Sequence, residues 1–260
     1  MTGRPGQPAG APRLPPAYRL IRLDTVESTN DEAARLAGQG AEEGTLVWAR
    51  AQTRGRGRRQ RDFASPPGNL YFSLVLRPEC DARTAAQLSF VAALAVGEAI
   101  GSVAPPLLEV TYKWPNDVLL NGRKVSGILL ESRADAAGGL DWLVLGVGIN
   151  VQSFPEDTGF PATGLHFEGV PRDVSEGDVL QAFARSFLSW TNRWLEDGFA
   201  PVRQAWLNHA HGRGETITVH LPREKLTGIF RDLDRSGALV LELADGERRV
   251  ISAGDVYFTG

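Results

Sequence analysis

Residues 113–131, KWPNDVLLNGRKVSGILLE, decide how the middle of the chain folds. Two apolar runs within this stretch, Val118 to Leu120 and Lys124 to Glu131, are separated by Asn121-Gly122. Asn-Gly between apolar runs is the strongest short-range signal for a two-residue β-hairpin turn, because both turn positions need a positive φ. The stretch therefore predicts an antiparallel pair of strands, preceded by a turn over residues 114–117.

The segments on either side extend this hairpin into a larger sheet. Strands are predicted over residues 18–24, 45–51, 69–77, 108–113 and 140–151. Helices are predicted over residues 31–37, 84–100 and from Ser175 onward, where apolar residues recur at helical spacing. The fold class is therefore α+β: a mixed, mainly antiparallel sheet with helices packed on one side of it.

The last quarter of the chain is predicted to be a separate β unit. His211-Gly-Arg-Gly214 is a plausible boundary, and residues 215–260 contain five short strands with turns between them. A strand-only stretch of this size suits a small SH3-like β-barrel. We predict three regions: a disordered Pro/Gly-rich tail at 1–17, the main domain at 18–211, and the barrel at 212–260.

Composition excludes several classes of protein. The chain has 260 residues, of which 42% are hydrophobic and 23% charged, and its net charge is -3. Cys80 is the single cysteine, which excludes an intramolecular disulfide and a cysteine-based zinc site. We see no uninterrupted apolar segment of membrane-spanning length and no signal peptide, so we expect a cytoplasmic protein without a membrane partner.

One predicted loop concentrates positive charge. Residues 50–61 hold six arginines and no acidic residue. Arginine forks bind phosphate, and the interleaved glycines allow close approach of a ligand. From composition alone, a solvated basic loop or a nucleic-acid patch has about equal weight, but the position between two core strands favours a ligand site. Phe63 beside the loop could stack on a base, cover a pocket or belong to the core.

The hairpin carries three further candidate residues. Lys124 begins a strand at the sheet rim, where a compact cation could stabilise charge developing at phosphorus. Asp117 could hold a magnesium ion, and Gly127 allows a ligand close to the strand. Taken singly, each residue has a simpler interpretation than a ligand contact: Lys124 as a surface lysine, Asp117 as a turn residue and Gly127 as a strand glycine. Their combination with the arginine loop reverses that judgement.

Two more short segments are candidates for ligand contact. Gly146 and Gly148 leave one face of a buried strand bare, and Asn150 could contact a base or ribose. Residues 28–30, Ser-Thr-Asn, could recognise a polar ring at a helix start. Alone, the first segment fits a simple strand end and the second fits helix capping through Thr29.

Together and in this order, these segments resemble the catalytic core of biotin protein ligases. The resemblance is carried by Q-x-x-GRGR between two strands, beginning at Gln52, and by KWPND, a hairpin and K-x-x-GILxE at residues 113–131. It covers roughly Leu20 to Gly260. It implies a fold like that of class II aminoacyl-tRNA synthetases and lipoate ligases, with residues 18–211 as the catalytic domain. It also implies the monofunctional type without an N-terminal DNA-binding domain.

The resemblance implies specific roles for residues of this chain. Biotin would be bound by Ser28, Thr29, Asn30, Gln52, Gly55, Arg56, Arg58, Lys124, Gly127, Gly146 and Gly148. ATP would be bound by Arg58, Arg59, Arg61, Phe63, Asn116, Asp117, Lys124, Ile149 and Asn150. Catalysis would rest on Lys124, Arg58 and Asp117, with Asp117 also holding Mg²⁺. Residues 152–168 would form a loop that orders on the intermediate.

The reaction implied is the ATP-dependent, AMP-forming ligation of biotin. Biotin and ATP would give biotinyl-5'-AMP and pyrophosphate, and biotin would then pass to a lysine of a biotin carboxyl carrier protein domain. The resemblance is compatible with a homodimer, and we expect no sequence-specific DNA binding. Gln60 replaces the usual last glycine of the loop and Phe63 replaces a tryptophan, so both bear on loop closure.

Two other functions remain open at the level of sequence. A lipoate or octanoate ligase or transferase shares the fold and a catalytic lysine, but its loop differs from the arginine-glycine run. An RNA-binding module would use the arginine loop and the barrel, but it would have no need of Lys124 together with Asp117.

Overall fold

The computed structural model describes residues 12–135, 139–156 and 158–258, apart from the side chain of Gln60. The main sheet contains β1 Arg19–Val26, β2 Thr45–Gln52, β3 Leu70–Leu76, β4 Val110–Lys113, β5 Asp117–Leu120, β6 Arg123–Ala134 and β7 Leu140–Ile149. Their order across the sheet is β1-β2-β3-β7-β6-β5-β4. Only β1 and β2 run parallel to each other, and the other neighbouring pairs are antiparallel. The predicted mixed, mainly antiparallel sheet is confirmed.

The helices cover both faces of this sheet. They are α1 Thr29–Gly38, α2 Ala82–Ala85, α3 Leu88–Val103, α4 Glu176–Asp197 and α5 Phe199–Asn208. Strand β2 shows the reason, because its side chains alternate between two apolar clusters. Val47 packs with Ala33 of α1, whereas Leu46 and Trp48 belong to the larger core with α3 and α4. Our prediction of helices on one side only was wrong, because α1 lies on the opposite face.

The β5–β6 hairpin forms as predicted and contains a bulge that matters for the site. Asn121 and Gly122 have φ values of 50° and 75°. The register shifts so that Leu119 pairs with Lys124 while Asp117 pairs with Gly127. On a regular strand, residues three apart point to opposite faces, but one extra residue restores a common face. The bulge therefore directs the Lys124 side chain over Gly127.

Helix α3 is the centre of the larger core. Among the described residues, the helical stretch Ala82–Val103 is long and apolar enough to cross a membrane by length and composition, contrary to our expectation from sequence. However, 67% of its most apolar window is buried within the protein. Phe90 on this stretch contacts Phe199 and Trp206 edge to face. The stretch is therefore packed as a core helix.

The C-terminal region is a five-stranded antiparallel sheet. Its strands are β8 Thr216–His220, β9 Lys225–Leu233, β10 Leu239–Glu242, β11 Arg248–Ile251 and β12 Asp255–Phe258, in the order β11-β10-β9-β8-β12. In the described part of the chain, β11 and β12 do not pair, so the predicted barrel is an open sheet by hydrogen bonding. Trp114 Nε1 donates to Gly237 O at 3.1 Å, and Arg203 pairs with Asp232 at 2.6 Å. These contacts fix the small sheet against the end of β4 and against α5.

Part of the predicted tail has a defined position. The Arg13 backbone N–H donates to Gln181 Oε1 at 2.7 Å, and Leu14 packs against the larger core. Arg13 therefore contacts α4 and Leu14 contacts the larger core, although we assigned both residues to a disordered tail. Residues 1–11 lie outside the described part of the chain.

Candidate active site

A cleft of about 650 Å³ opens on the face of the main sheet that carries α1. Its floor is formed by glycines of β6 and β7, and its walls by the start of α1, the arginine loop, strand β12, Pro155, residues 158–160 and Ala162. Small-molecule sites typically fall within roughly 300–1,000 Å³. The cleft is therefore large enough for a substrate and part of a nucleotide.

The floor is a row of residues paired across neighbouring strands. Asp117 pairs with Gly127, Gly127 pairs with Gly148, and Gly148 pairs with Tyr71. The ring of Phe63 lies over this row, and a Cβ at position 148 would be 2.6 Å from it. The ring also meets Tyr71 edge to face at 6.2 Å. The two glycines thus leave a flat strip, which Phe63 covers.

A polar corner occupies one end of the floor. Gln52 Oε1 accepts hydrogen bonds from the Thr29 backbone N–H at 2.7 Å and its hydroxyl at 3.0 Å. Ser73 Oγ lies 2.8 Å from Thr29 Oγ1 and 2.6 Å from Asn30 Oδ1. Asn30 Nδ2 donates to Glu131 Oε2 at 2.7 Å. Because these groups hold one another, the amides of Gln52 and Asn30 have fixed orientations.

Sequence reasoning missed two members of this corner and the identity of the cap. Ser73 is a polar residue within the apolar strand β3, which was the available signal, and Glu131 ends the K-x-x-GILxE run. Ser28, not Thr29, is the N-cap of α1, and its hydroxyl accepts from the Asp31 backbone N–H. Thr29 is therefore free of capping and contributes its hydroxyl to the corner.

At the other end of the floor, one carboxylate lies between two lysines. Asp117 Oδ1 is 2.6 Å from Lys124 Nζ, and Asp117 Oδ2 is 3.4 Å from Lys113 Nζ. Burial alone would raise the pKa of Asp117, but Lys124 and Lys113 hold that pKa below its usual value. Burial lowers the pKa of Lys113, opposed by the charge of Asp117. Lys113 lines the cleft and was assigned no role from sequence.

This arrangement does not fit a magnesium ion held by Asp117. Both carboxylate oxygens already contact lysine ammonium groups. Within the described ranges, there is also no group of three or more His, Cys, Asp or Glu residues that could hold a metal ion. Because Mg²⁺ prefers oxygen ligands and repels ammonium groups, the charge pattern around Asp117 disfavours the expected metal role.

Carboxylates of the surrounding framework neutralise most of the arginine loop. Arg56 pairs with Asp31 and, at 3.2 Å, with Glu131. Arg59 and Arg61 both pair with Asp255, at 2.9 and 2.5 Å. At these three arginines an anionic substrate would therefore exchange partners with existing carboxylates.

Arg58 differs from its neighbours in the loop. Its Nη1 donates to the Gly254 carbonyl oxygen at 3.2 Å and to Asn116 Oδ1 at 3.4 Å. Among the described residues, no carboxylate lies within ion-pair distance of this guanidinium, and Arg58 lines the cleft. Its charge is therefore positioned by neutral acceptors and remains available to an anion.

The C-terminal sheet contributes directly to the cleft. Residues 255–257 line the cleft, and Asp255 links β12 to the arginine loop. This contact joins residues almost two hundred positions apart, so no local pattern could predict it. Asp255 is the most important site residue that sequence reasoning missed.

Comparisons with known proteins identify the family. The profile of the Biotin/lipoate A/B protein ligase family matches residues 14–208, and that of the biotin protein ligase C-terminal domain matches residues 213–259. A biotin–[acetyl-CoA-carboxylase] ligase of Paracoccus denitrificans is 42% identical over 92% of this chain and all of that protein. The chain belongs to the biotin protein ligase family.

Solved structures of biotin protein ligases share the fold. The Aquifex aeolicus ligase in complex with biotin and ATP matches with a TM-score of 0.77 and 31% identity, covering 92% of this chain and 97% of that chain. The Leishmania major ligase in complex with biotinyl-5-AMP matches with a TM-score of 0.62 and 27% identity, covering 92% of this chain and all of that chain.

The structure brings most of the ligase residues named from sequence into one cleft. The residues expected to bind biotin all line it: Ser28, Thr29, Asn30, Gln52, Gly55, Arg56, Arg58, Lys124, Gly127, Gly146 and Gly148. Of the residues expected to bind ATP, those that line it are Arg58, Arg61, Phe63, Asn116, Asp117, Lys124 and Asn150. Arg59 and Ile149 do not line the cleft, because Arg59 extends to Asp255 and Ile149 is fully buried.

The two asparagines of the ligase site support its backbone. Asn116 Nδ2 donates to the Ile128 carbonyl oxygen at 2.7 Å. Asn150 Nδ2 donates to the Thr163 carbonyl oxygen at 2.9 Å. Both amide groups therefore hold neighbouring strands and loops, and any contact with a nucleotide would come from their remaining atoms.

The segment expected to order on the ligase intermediate is already fastened at one end. The Lys124 backbone N–H donates to Pro161 O at 2.7 Å, and the Thr163 N–H donates to Lys124 O at 2.9 Å. The Leu165 N–H donates to Asn150 O at 3.0 Å. Residues 161–165 are thus tied to β6 and to the end of β7, which leaves Pro155 and residues 158–160 as the described part that overhangs the cleft.

Proposed function

We propose that this chain activates biotin with ATP to biotinyl-5'-AMP and then transfers biotin to a lysine of an acceptor protein. The observation that carries the proposal is the meeting of Lys124 and the arginine loop over one glycine floor. A cation at the end of a flat, narrow floor suits a ring-bearing acid whose carboxylate must approach a phosphate. Family membership and the Aquifex relative with biotin and ATP support the same reaction.

The geometry favours one orientation of biotin. The polar corner offers fixed amide and hydroxyl groups of Thr29, Asn30 and Gln52 to a ureido ring. Once the Phe63 ring moves aside from the strip that it covers, the ring system of biotin would lie along Gly127 and Gly148, and the carboxylate would point toward the lysines. A site whose polar groups are already oriented loses little entropy on binding, which favours affinity.

Activation joins two anions that repel each other. A carboxylate oxygen of biotin attacks the α-phosphorus of ATP, the bond from phosphorus to the bridging oxygen breaks, and pyrophosphate leaves with that electron pair. Lys124 and Arg58 would offset the charge that accumulates during attack, because fixed cations act strongly in a cleft shielded from water. Holding both reactants in one geometry removes a further part of the barrier.

Transfer uses the acyl carbon of the mixed anhydride. The neutral amine of the acceptor lysine attacks this carbon, the bond from carbon to the phosphate oxygen breaks, AMP leaves, and the nitrogen loses a proton. The anhydride hydrolyses if water reaches it, so the arginine loop, Pro155 and residues 158–160 would need to cover it. We propose a biotin carboxyl carrier protein domain as the acceptor, because the Paracoccus relative is named for acetyl-CoA carboxylase.

The direct test supplies purified protein with magnesium and ATP together with biotin, lipoate or octanoate. We expect biotinyl-AMP and pyrophosphate with biotin alone. Adenylate formed from lipoate or octanoate instead would mean that the substrate is that of a lipoate or octanoate ligase and not biotin. No adenylate from any of the three acids, with folded protein, would contradict the proposal and return weight to RNA binding through the arginine loop.

Substituting Asp255 should weaken the use of ATP more than the use of biotin. Asp255 anchors Arg59 and Arg61 through ion pairs. The backbone of Arg59 has a left-handed φ of 54°, which residues other than glycine rarely adopt. Without the anchor, the turn relaxes and must be reordered by ATP. For Asp255→Ala we expect the KM for ATP to rise roughly 10-fold, corresponding to about 1.4 kcal/mol, with a smaller change for biotin.

Steady-state kinetics of pyrophosphate release would measure this effect. Asp245→Ala, at an exposed turn of the same sheet, is the matched control and should leave both KM values unchanged. Asp255 also competes with phosphate for the same arginines. A KM for ATP that falls in Asp255→Ala would mean that this competition outweighs the anchoring, contrary to the expectation.

A further inference from the structure

Lys113 is a cation that lines the cleft and is nevertheless almost completely buried. Its side chain is 10% exposed, and its Nζ lies 3.4 Å from Asp117 Oδ2. The ammonium also lies over the ring of Phe160, 4.8 Å from its centroid. A lysine loses much solvation when it is buried, so such residues are rare unless they are paired.

The partner that Lys113 shares with Lys124 provides an explanation for this burial. Lys124 forms the shorter contact, at 2.6 Å from Asp117 Oδ1, yet its side chain is 32% exposed and faces the cleft. To meet the carboxylate of biotin and the phosphate of ATP, Lys124 must loosen its contact with Asp117. A buried carboxylate that loses its only cation is strongly destabilised.

We propose that Lys113 is a positioning residue that keeps Asp117 compensated while Lys124 moves to the substrate. The inference rests on the proposed function, in which Lys124 contacts the reacting anions. With Lys113 in place, Asp117 keeps one cation both before and after Lys124 moves to the substrate. The movement of Lys124 then costs less free energy. Without Lys113, Asp117 would retain Lys124 and compete with the substrate for it.

The surroundings of Lys113 suit a cation that stays in place. Phe160 closes over it from the segment that overhangs the cleft, and Asp117 holds it from the floor. Lys113 ends β4, whose Tyr112 exchanges backbone hydrogen bonds with residues 209 and 211 at 2.9 Å each. Lys124, at the bulged start of β6, is the more exposed of the two lysines and therefore the one that can move.

A double-mutant cycle tests the inference through biotinyl-AMP formation. For Lys113→Met we expect kcat to fall on the order of 100-fold, with a smaller change in the KM for biotin, because competition by Asp117 matters most when charge develops. Lys113→Arg should keep most of the activity. In Lys113→Met/Asp117→Asn the competing carboxylate is gone, so most of the lost kcat should return. A lysine with a purely structural role would instead lower the unfolding temperature of Lys113→Met and leave the kcat of the folded protein unchanged.

The cycle remains decisive if Lys113→Met alone fails to fold. Once Asp117 is asparagine, Lys113 should be dispensable, so Lys113→Met/Asp117→Asn should be at least as active as Asp117→Asn. A double variant less active than Asp117→Asn would mean that Lys113 acts on the substrate itself, which overturns the inference. Wild-type protein that makes no biotinyl-AMP would overturn the proposed function instead, and thermal unfolding of every variant separates both results from loss of fold.

Discussion

Replacing Lys124 with methionine should lower kcat for biotinyl-AMP formation by about 10²- to 10³-fold, the range found when one fixed donor to a developing charge is removed. Its ammonium lies beside Asp117 over the glycine floor, at the place where two anions would meet. Methionine fills a similar volume, so the change removes charge with little loss of packing. Single-turnover measurement of labelled biotinyl-AMP would separate this effect from product release.

The chain offers a matched control for this substitution. It contains three lysines, and Lys225 is exposed on β9 of the C-terminal sheet. Lys225→Met should leave kcat and the unfolding temperature unchanged. If Lys124→Met retained wild-type kcat while remaining folded, Lys124 would have no part in activation, and the charge at the attack site would have to come from the arginine loop.

Features that depend on short-range chemistry could be predicted from the sequence. The Asn121-Gly122 turn needs only its own two residues, and the hairpin formed as expected. Amphipathic patterning likewise located the main strands and helices. The bulge that brings Lys124 and Gly127 to one face could not be predicted from the residues of β6 alone, because it depends on the register with β5.

Features that depend on tertiary contacts could not be predicted. The sequence shows the arginines of the loop, but it does not show that Asp255, Asp31 and Glu131 neutralise them. These partners come from three separate elements, and charge at one position carries no information about distant partners. The same reason applies to the magnesium ion that we expected at Asp117. That Lys113 contacts this carboxylate becomes evident only when β4 and β5 are paired.

The glycine floor gives the second large effect, for Gly146→Ala. A Cβ at position 146 would lie 2.0 Å from Asn30 Oδ1, which is held by Ser73 and whose amide is held by Glu131. Overpacking costs about 1–3 kcal/mol of unfolding free energy, more than the roughly 0.4–1 kcal/mol that alanine gains from a stiffer unfolded chain. We expect a net loss of stability and a KM for biotin raised at least ~10-fold, the equivalent of losing about one oriented hydrogen bond.

Two further variants distinguish the clash from a general effect of alanine. Gly101→Ala on α3 meets no atom within 4 Å, so it should leave stability unchanged or raise it by up to about 1 kcal/mol. Asn30→Ala/Gly146→Ala removes the group that the new methyl would strike. It should recover the unfolding free energy relative to Gly146→Ala, but not the KM for biotin, because the polar corner has lost its amide. Recovery of both would mean that Asn30 supports the fold of the corner and does not contact biotin.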